Sequence, residues 1–253
     1  MIRISQIKMP VSHKEGALPE KAAELLHIEK KDIISWKITK KSIDARKKPD
    51  IYFIYTIDVE VAEEEKLLRR LSRNFRTRAG MRGIQIQKAE EISYHFPKAM
   101  MPSDAGRPVI IGTGPAGLFC GYLLAKHGYR PILLERGKAV EDRRKDVESF
   151  WKTGVLQPDS NVQFGEGGAG TFSDGKLNTL VKDRNGRNRE VLRIFARAGA
   201  PEEILYEAKP HIGTDLLMRV VRNMREEILT WGGEVRFESK VTDILIDSGA
   251  IRG

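Results

Sequence analysis

Hydrophobic and polar positions alternate in two ways in the first hundred residues. Apolar residues recur at helical spacing in residues 18–28 and again in 62–74, where acids occupy the first turn and bases the last. Residues 32–43 alternate in the manner of a strand, and residues 51–61 are rich in β-branched and aromatic side chains. The predicted order of strand, helix, strand, strand, helix, strand indicates a small α+β, ferredoxin-like domain over residues 1–98.

A change of pattern follows a segment rich in proline. Residues 94–108 hold three prolines, and we predict an interdomain linker at residues 99–107. Beyond it come a short apolar strand (RPVII), a helix (AGLFCGYLLAKHG) and a second apolar strand (RPILLERG). This order predicts an α/β, Rossmann-like FAD/NAD(P)-binding domain over residues 108–253.

Three glycines lie at the turn between the predicted strand and the helix. Gly112, Gly114 and Gly117 have the spacing GxGxxG, and Glu135 ends the second strand 18 residues beyond Gly117. Gly112 permits a tight turn, Gly114 lets the backbone approach a pyrophosphate, and Gly117 allows close packing of helix and strand. Free N–H groups at the start of the helix would meet the phosphates, and Glu135 would accept hydrogen bonds from ribose hydroxyls. An acid at that position also disfavours the 2′-phosphate of NADP.

Residues 161–179 (NVQFGEGGAGTFSDGKLNT) form a second glycine run, which is too irregular for an ordinary helix or strand. A long loop in a compact domain usually has a function. We interpret its small residues as a surface for a large planar ligand, with backbone N–H groups and the hydroxyls of Thr171 and Ser173 as donors. The alternative is a flexible surface loop, which Phe164 and Phe172 argue against, since flexible linkers seldom carry aromatic residues.

Cysteine content and hydropathy restrict the location of the chain. Cys120 is its one cysteine, so an intramolecular disulfide and a CxxC motif are both excluded, which favours a reducing cytoplasm. The N-terminus lacks the apolar core of a signal peptide, and no run of about 18 apolar residues occurs. We therefore predict a cytoplasmic protein without a membrane span.

Basic residues are concentrated in the first domain. Residues 1–103 hold 21 Lys and Arg against 14 Asp and Glu, whereas the remainder holds 23 against 21. The densest basic segments, at 37–48 and 69–82, could meet RNA or another polyanion. Since no nucleic-acid motif accompanies them, a solvated basic face is the favoured interpretation.

These motifs together resemble the bacterial FAD-dependent dehydrogenases, whose fold is related to the glutathione reductase class of flavoproteins. The resemblance covers essentially the whole chain, and the second glycine run is its most specific part. It implies that the first glycines face the FAD pyrophosphate, Glu135 the adenosine ribose and Val241 the adenine. The residues implied in cofactor binding are Gly112, Gly114, Pro115, Ala116, Gly117, Glu135, Arg136, Arg143, Gly167, Gly168, Ala169, Gly170, Thr171, Lys176 and Val241.

Several other residues invite a chemical role. Cys120 is expected to be a buried, inert thiol, since no second cysteine could resolve it. His211 precedes a predicted helix with Thr214 as its N-cap, so it either makes a structural hydrogen bond or lies near flavin or substrate. Asp174 and Lys176 could polarise a ligand. No catalytic residue follows from the sequence, and no metal-ligand cluster or Ser/His/Asp arrangement is present in it.

The C-terminal residues form a predicted hairpin around Ser248 and Gly249. A chain ending inside a hairpin is expected to be the N-terminal portion of a longer protein, with an FAD domain that is incomplete at its C-terminus and binds FAD poorly alone.

The expected function is that of a cytoplasmic FAD-dependent oxidoreductase, with NAD(P)H as a candidate electron donor and a small-molecule substrate that the sequence does not identify. One alternative is a flavoprotein that acts on RNA through its basic N-terminal domain. Another is a non-catalytic nucleotide-binding module. 

Overall fold

A computed structural model describes residues 1–14, 16–74, 83–97, 106–179 and 181–253, with the side chains of 72–74 left undescribed. The chain divides into two compact units. Unit one comprises Met1–Ser93 and Glu202–Pro210, and unit two comprises Tyr94–Pro201 and His211–Gly253. Apart from residues 106 and 107, the predicted linker at 99–107 lies outside the described residues, as do residues 75–82 of the second basic segment.

Unit one is a four-stranded antiparallel sheet with two helices. Its elements are β1 (Ile2–Pro10), α1 (Ala17–Leu26), β2 (Ile33–Lys47), β3 (Asp50–Val61), α2 (Glu64–Asn74) and β4 (Gln85–Lys88), with short 3-10 turns at Lys30–Asp32 and Glu202–Leu205. The strands lie in the order β2-β3-β1-β4. The order of elements along the chain is the predicted one, and the ferredoxin-like description remains our interpretation of it.

A β-bulge in β1 explains which of its residues enter the core. The pairing of β1 with β3 shifts between Ile4 and Ile7, and Gln6 has a φ of 65°. One extra residue reverses the alternation of side chains, so Ile2 and Ile4 before the bulge and Ile7 after it all face inward. All three are fully buried. The apolar face of α1, which includes Leu18 and Leu26, belongs to the same core.

Unit two is a mixed α/β unit around a parallel sheet. Its elements are β5 (Val109–Ile111), α3 (Pro115–Lys126), β6 (Ile132–Leu134), α4 (Val140–Thr153), α5 (Arg187–Arg197), α6 (Thr214–Thr230), β7 (Glu234–Arg236), β8 (Ile246–Asp247) and β9 (Ala250–Ile251), with a 3-10 turn at Ala169–Phe172. The parallel strands lie in the order β5-β6-β7. None of the helices in the described residues is long and apolar enough to cross a membrane.

The termini of two elements test the predicted turn chemistry. Helix α6 begins at Thr214 with Gly213 as its N-cap, and no side chain caps it. Thr214 is therefore not the N-cap but the first residue of the helix.

Strands β8 and β9 form an antiparallel hairpin, and Ser248 and Gly249 at its turn have positive φ values of 50° and 76°. This is the turn predicted there.

Candidate dinucleotide-binding site

The first glycine turn, residues 112–117, links β5 to α3. Gly112 has a φ of 89°, and its N–H donates to the carbonyl oxygen of Leu134 at the end of β6 (2.7 Å). A Cβ added to Gly112 or Gly114 would meet no atom within 4 Å, whereas one added to Gly117 would collide with the carbonyl oxygen of Gly112. Gly117 is thus required for packing, while Gly112 and Gly114 leave open space that a ligand could occupy.

Glu135 lies at the end of β6 and is 4% exposed. One carboxylate oxygen, Oε2, accepts from the backbone N–H of Thr113 (2.7 Å) and from its hydroxyl (2.9 Å). The other, Oε1, accepts from the backbone N–H groups of Gly137 (2.9 Å) and Gly165 (3.1 Å). The carboxylate therefore joins the first glycine turn to the second glycine run.

The second glycine run packs directly on the first glycine turn. The N–H of Gly167 donates to the carbonyl oxygen of Thr113 (2.9 Å). A Cβ on Gly168 would lie 2.9 Å from Cδ of Pro115, and Gly167 and Gly168 have φ values of 82° and 65°. Close approach and positive φ both favour glycine at these positions. The two glycine motifs of the sequence are thus parts of one structure.

Arg143, on α4, is fully buried behind the second glycine run. Its guanidinium donates to four backbone carbonyl oxygens of that run, those of Asn161 (2.9 Å), Val162 (2.9 Å), Glu166 (2.6 Å) and Gly168 (2.9 Å). Burial lowers the pKa of Arg143 to about 10, although the negative charges of Glu135 and Glu166 oppose this shift.

Glu166 is a buried carboxylate within the second glycine run. Its Oε2 accepts from the N–H of Val140 (2.8 Å) and from Nη1 of Arg225 on α6 (2.8 Å), whereas Oε1 has no hydrogen-bond partner. Arg225 also contacts the carboxylate of Glu141 (2.8 Å). Burial raises the pKa of Glu166 to about 7, against the lowering effect of Arg225. This network links α4 and α6 to the run.

A cavity of about 270 Å³ opens where these segments meet. Four segments contribute its lining: Ile111, Gly112 and Gly114; Leu134, Glu135 and Arg136; Gln163, Phe164, Gly165 and Gly168; and Ser239, Lys240 and Val241. It lies at the C-terminal ends of parallel strands, where ligands of α/β proteins usually bind. The structure thus brings six of the predicted site residues, Gly112, Gly114, Glu135, Arg136, Gly168 and Val241, to one cavity.

Two cations, Arg136 and Lys240, line the cavity. Arg136 donates twice to Oδ1 of Asp159 (3.1 and 2.6 Å), and its guanidinium lies over the ring of Phe164 (3.9 Å from the centroid). Lys240 lies 3.8 Å from the same carboxylate oxygen. The hydrogen bonds from Arg136 lower the pKa of Asp159, so it stays ionised. The wall therefore carries both signs of charge, with these two cations on one side and the Glu135 carboxylate on another.

The remaining predicted site residues do not line this cavity. Pro115 and Ala116 are exposed in the first turn of α3, and Ala169 and Gly170 are exposed in the 3-10 turn. Arg143 and Gly167 are buried in the packing between the two glycine motifs. Thr171 is buried with a hydroxyl oxygen that has no partner, and Lys176 is exposed and paired with Asp174 (2.7 Å).

His211 and Lys176 lie together although 35 residues separate them. Their backbones form an isolated antiparallel bridge. Next to it, the N–H of Ile212 donates to the carbonyl oxygen of Gly175 (2.9 Å), and a Cβ on Gly175 would collide with Ile212. The ordered turn expected at His211 is therefore held by the end of the second glycine run, and the His211 side chain is exposed.

Cys120 differs from the expectation of a buried thiol. It lies on the exposed side of α3, even though partial desolvation raises the pKa of its thiol. The apolar face of α3 is formed by Leu118, Tyr122 and Ala125 instead, and Tyr122 packs edge-on against Trp231 (ring centroids 5.0 Å apart).

Among the described residues, no three His, Cys, Asp or Glu side chains group closely enough to hold a metal ion.

Residues 110–140, which include the first glycine turn and Glu135, match the family model described as a NAD(P)-binding Rossmann-like domain. The chain carries a Rossmann-like nucleotide-binding unit. Residues 1–60 match a second family model, described as a domain of unknown function (DUF8436).

Curated relatives extend this similarity over more of the chain. An uncharacterized protein of Clostridium beijerinckii is 45% identical over 250 residues, which cover 99% of this chain and 45% of that protein. The 15-cis-phytoene desaturases of an Oncidium hybrid cultivar and of Narcissus pseudonarcissus are 29% and 28% identical over 164 residues. Those matches cover 61% of this chain and 26% of each desaturase. The chain thus spans less than half the length of the relatives that it matches.

Proposed function

We propose that this chain forms the dinucleotide-binding part of an FAD-dependent oxidoreductase. The observation that carries the proposal is the meeting of four segments at one cavity: the first glycine turn, the end of β6, the second glycine run and the segment at Val241. A Rossmann-like unit places a pyrophosphate at such a turn and an adenosine beside the end of the next strand.

The donor set at the cavity fits a dinucleotide. Gly114 is the N-cap of α3, and the space beside its Cα is open. The positive end of the helix and the cations Arg136 and Lys240 would bind and orient the phosphates. When bound, FAD supplies the capacity to accept and donate a hydride, and the protein provides position and electrostatics.

The second glycine run supports FAD rather than a nicotinamide nucleotide as the resident group, because it is the most specific part of the resemblance to FAD-dependent dehydrogenases and packs directly on the first glycine turn. The relatives include two phytoene desaturases, and desaturation, which removes hydrogen from a substrate, supports an oxidoreductase. Either a small-molecule substrate or NAD(P)H would donate a hydride to the flavin, and the electrons would pass to a separate acceptor. A cytoplasmic location completes the proposal.

A substitution at Gly114 tests the binding site. In Gly114→Ala the new methyl group fills the open space that we assign to the phosphates, so we expect FAD affinity to fall at least about tenfold. Gly213→Ala is the matched control, because Gly213 is also a helix N-cap with extended backbone and open space, and it does not line the cavity. Each variant should lose about 0.5–1 kcal/mol of stability from the poorer N-cap.

The measurement is fluorescence or calorimetric titration of the purified chain with FAD, with thermal unfolding followed in parallel. Equal FAD affinity in wild type and Gly114→Ala would refute this placement of the phosphates. Failure of the wild-type chain to bind FAD, NAD⁺ or ADP would refute the proposed cofactor site altogether.

A further inference from the structure

A second cavity, of about 330 Å³, is formed entirely by residues of unit one. It opens between α2 and the residues that follow α1, up to the 3-10 turn at Lys30–Asp32, and Val61 at the end of β3 also lines it. This volume is within the range of small-molecule sites, roughly 300 to 1,000 Å³. Both glycine motifs of the dinucleotide site belong to unit two, so this cavity is a separate feature.

The floor of this cavity is apolar. Val61 and Leu67 are each 7% exposed, and Ile28 packs against the same buried cluster. Because these three side chains belong to the hydrophobic core of unit one, close packing fixes their positions. A hydrocarbon group placed on them would leave water and gain free energy in proportion to the area that it buries. The floor therefore favours a ligand with an apolar part.

Charged side chains of both signs form the rim of the cavity. Asp32 belongs to the 3-10 turn, Glu63 directly precedes α2, and Lys66 and Arg70 lie on α2. Positions 63, 66, 67 and 70 have helical spacing, so the last three charged residues share one side of α2 with Leu67. Nζ of Lys66 lies 2.8 Å from Oε2 of Glu63. With two carboxylates and two cations, the rim has no net charge.

Arg70 and Asp32 keep hydrogen-bonding capacity for a ligand. Nη2 of Arg70 donates to the carbonyl oxygens of Leu26 (3.4 Å) and His27 (3.1 Å) at the end of α1. Oδ2 of Asp32 accepts from the N–H of Glu29 (3.0 Å). Within the described residues, Nε and Nη1 of Arg70 and Oδ1 of Asp32 have no hydrogen-bond partner. The rim thus offers donors at one residue and an acceptor at another.

We propose that this cavity of unit one binds a free amino acid with an apolar side chain. The carboxylate of the amino acid accepts from Arg70, its ammonium group donates to Asp32, and its side chain packs on the apolar floor. A simple anion would also meet the two carboxylates of the rim, and a simple cation would meet the two basic side chains. A ligand that carries both charges complements the whole rim. The proposal concerns unit one alone and does not depend on the dinucleotide site.

Titration of the purified chain with leucine, valine, methionine and phenylalanine, followed by NMR chemical shifts, tests the proposal. At least one of them should bind saturably with a dissociation constant below about 10 mM, and the shifts should include the methyl groups of Ile28, Val61 and Leu67. For leucine, the truncated probes are 4-methylpentanoate, which lacks the ammonium group, 3-methylbutylamine, which lacks the carboxylate, and glycine, which lacks the side chain. Each should bind at least about tenfold more weakly than leucine.

Two variants combined with these probes separate ligand contact from a structural role. Asp32→Asn should weaken leucine binding at least about tenfold and leave the affinity for 4-methylpentanoate unchanged, since that probe has no ammonium group. Arg70→Gln should weaken leucine binding similarly and leave the affinity for 3-methylbutylamine unchanged. Both side chains are exposed, and asparagine can still accept from the N–H of Glu29, so both variants should fold.

Asp50→Asn and Arg69→Gln are the matched controls, because both change exposed side chains of unit one that do not line the cavity. They should leave every affinity unchanged. A variant that only perturbs the fold would weaken all probes together, and that result for both Asp32→Asn and Arg70→Gln would overturn the proposal.

Three further results would also overturn it. The first is the absence of saturable binding by all four amino acids. The second is binding of 4-methylpentanoate or 3-methylbutylamine as tight as that of leucine, which would indicate a site for a simple anion or cation. The third is equally tight binding of N-acetylleucinamide, which lacks both charges and would indicate a groove for a peptide segment. FAD affinity enters none of these outcomes, so failure of the proposed function would leave this inference standing.

Discussion

Burial in the protein interior clearly disfavours the ionised form of Glu166. Its carboxylate is fully buried, and only Arg225 and one backbone N–H offset the loss of solvation, while Glu135 and Glu141 add negative charge nearby. The pKa is accordingly about 7 in the folded chain, against an ordinary value of 4.5. Between these two pH values, the folded chain keeps a proton that the unfolded chain has lost.

This difference predicts how stability depends on pH. Because the folded state binds more protons than the unfolded state, the free energy of unfolding should fall as pH rises from about 4.5 to about 7. The loss from this residue is about 3 kcal/mol, at about 1.4 kcal/mol for each unit of pKa difference. Glu166→Gln, which is neutral and retains an acceptor for Val140 and Arg225, should lack that dependence.

Urea unfolding of both proteins at pH 5, 6, 7 and 8 measures the difference, with Glu202→Gln, an exposed residue of unit one, as control. Parallel stability curves for wild type and Glu166→Gln would mean that Glu166 titrates normally in the folded chain.

Helix α3 shows how glycine spacing serves packing at the level of an element. A Cβ on Gly117 would collide with the backbone carbonyl of Gly112, and a Cβ on Gly121 would lie 2.6 Å from Cδ2 of the buried Leu133 on β6. A glycine inside a helix, such as Gly121, lowers helix propensity by about 1 kcal/mol relative to alanine. The structure adds a reason for it, since the helix approaches β6 too closely for a methyl group at that position.

These contacts predict a graded pair of alanine variants. Gly117→Ala should lower the free energy of unfolding by at least about 2 kcal/mol, since a backbone carbonyl must move. Gly121→Ala should cost less, about 1 kcal/mol, because the displaced atoms belong to a side chain and helix propensity improves. Thermal unfolding monitored by circular dichroism compares the two, and a Gly117→Ala protein more stable than Gly121→Ala would contradict the packing argument.

Charge over the whole molecule bears on the RNA alternative. Three of the six cations in the basic segment at 37–48 form ion pairs: Lys37 with Glu91, Lys41 with Glu207 and Arg46 with Asp44. Paired cations release fewer counterions from a nucleic acid than free ones. The described part of unit one therefore gives the RNA hypothesis no specific support, and it stays an alternative.

The size of the cavity predicts which part of FAD this chain recognises. About 270 Å³ is slightly below the volume of most ligand pockets, which run from roughly 300 to 1,000 Å³, and its lining consists of residues that we propose to contact the pyrophosphate and adenosine end. We expect ADP to bind the chain within about tenfold of the affinity for FAD, and FMN to show no saturable binding. Competitive titration with the three nucleotides measures this, and FMN binding as tight as FAD with no binding of ADP would contradict the assignment.

The sequence by itself determined the parts that depend on neighbouring residues. The strand, glycine turn and helix of residues 109–126, the order of elements in unit one and the hairpin at Ser248 all follow from local periodicity and turn chemistry, because φ preferences and side-chain alternation act over a few residues. Gly117 could be assigned to helix packing for the same reason.

Only the tertiary structure decided where the polar side chains point and what they meet. Glu135 accepts a hydrogen bond from the N–H of Gly165, which is 30 residues away in sequence. Arg225 donates one to Glu141, which is 84 residues away. Such pairings depend on how separate elements pack, which no local pattern encodes. For that reason the roles of Arg225 and Glu166 were missed and the hydrogen-bond partners of Arg143 could not be predicted, because the partners of a buried charged group depend on how separate elements pack. The same dependence explains why Cys120 was wrongly expected to be buried.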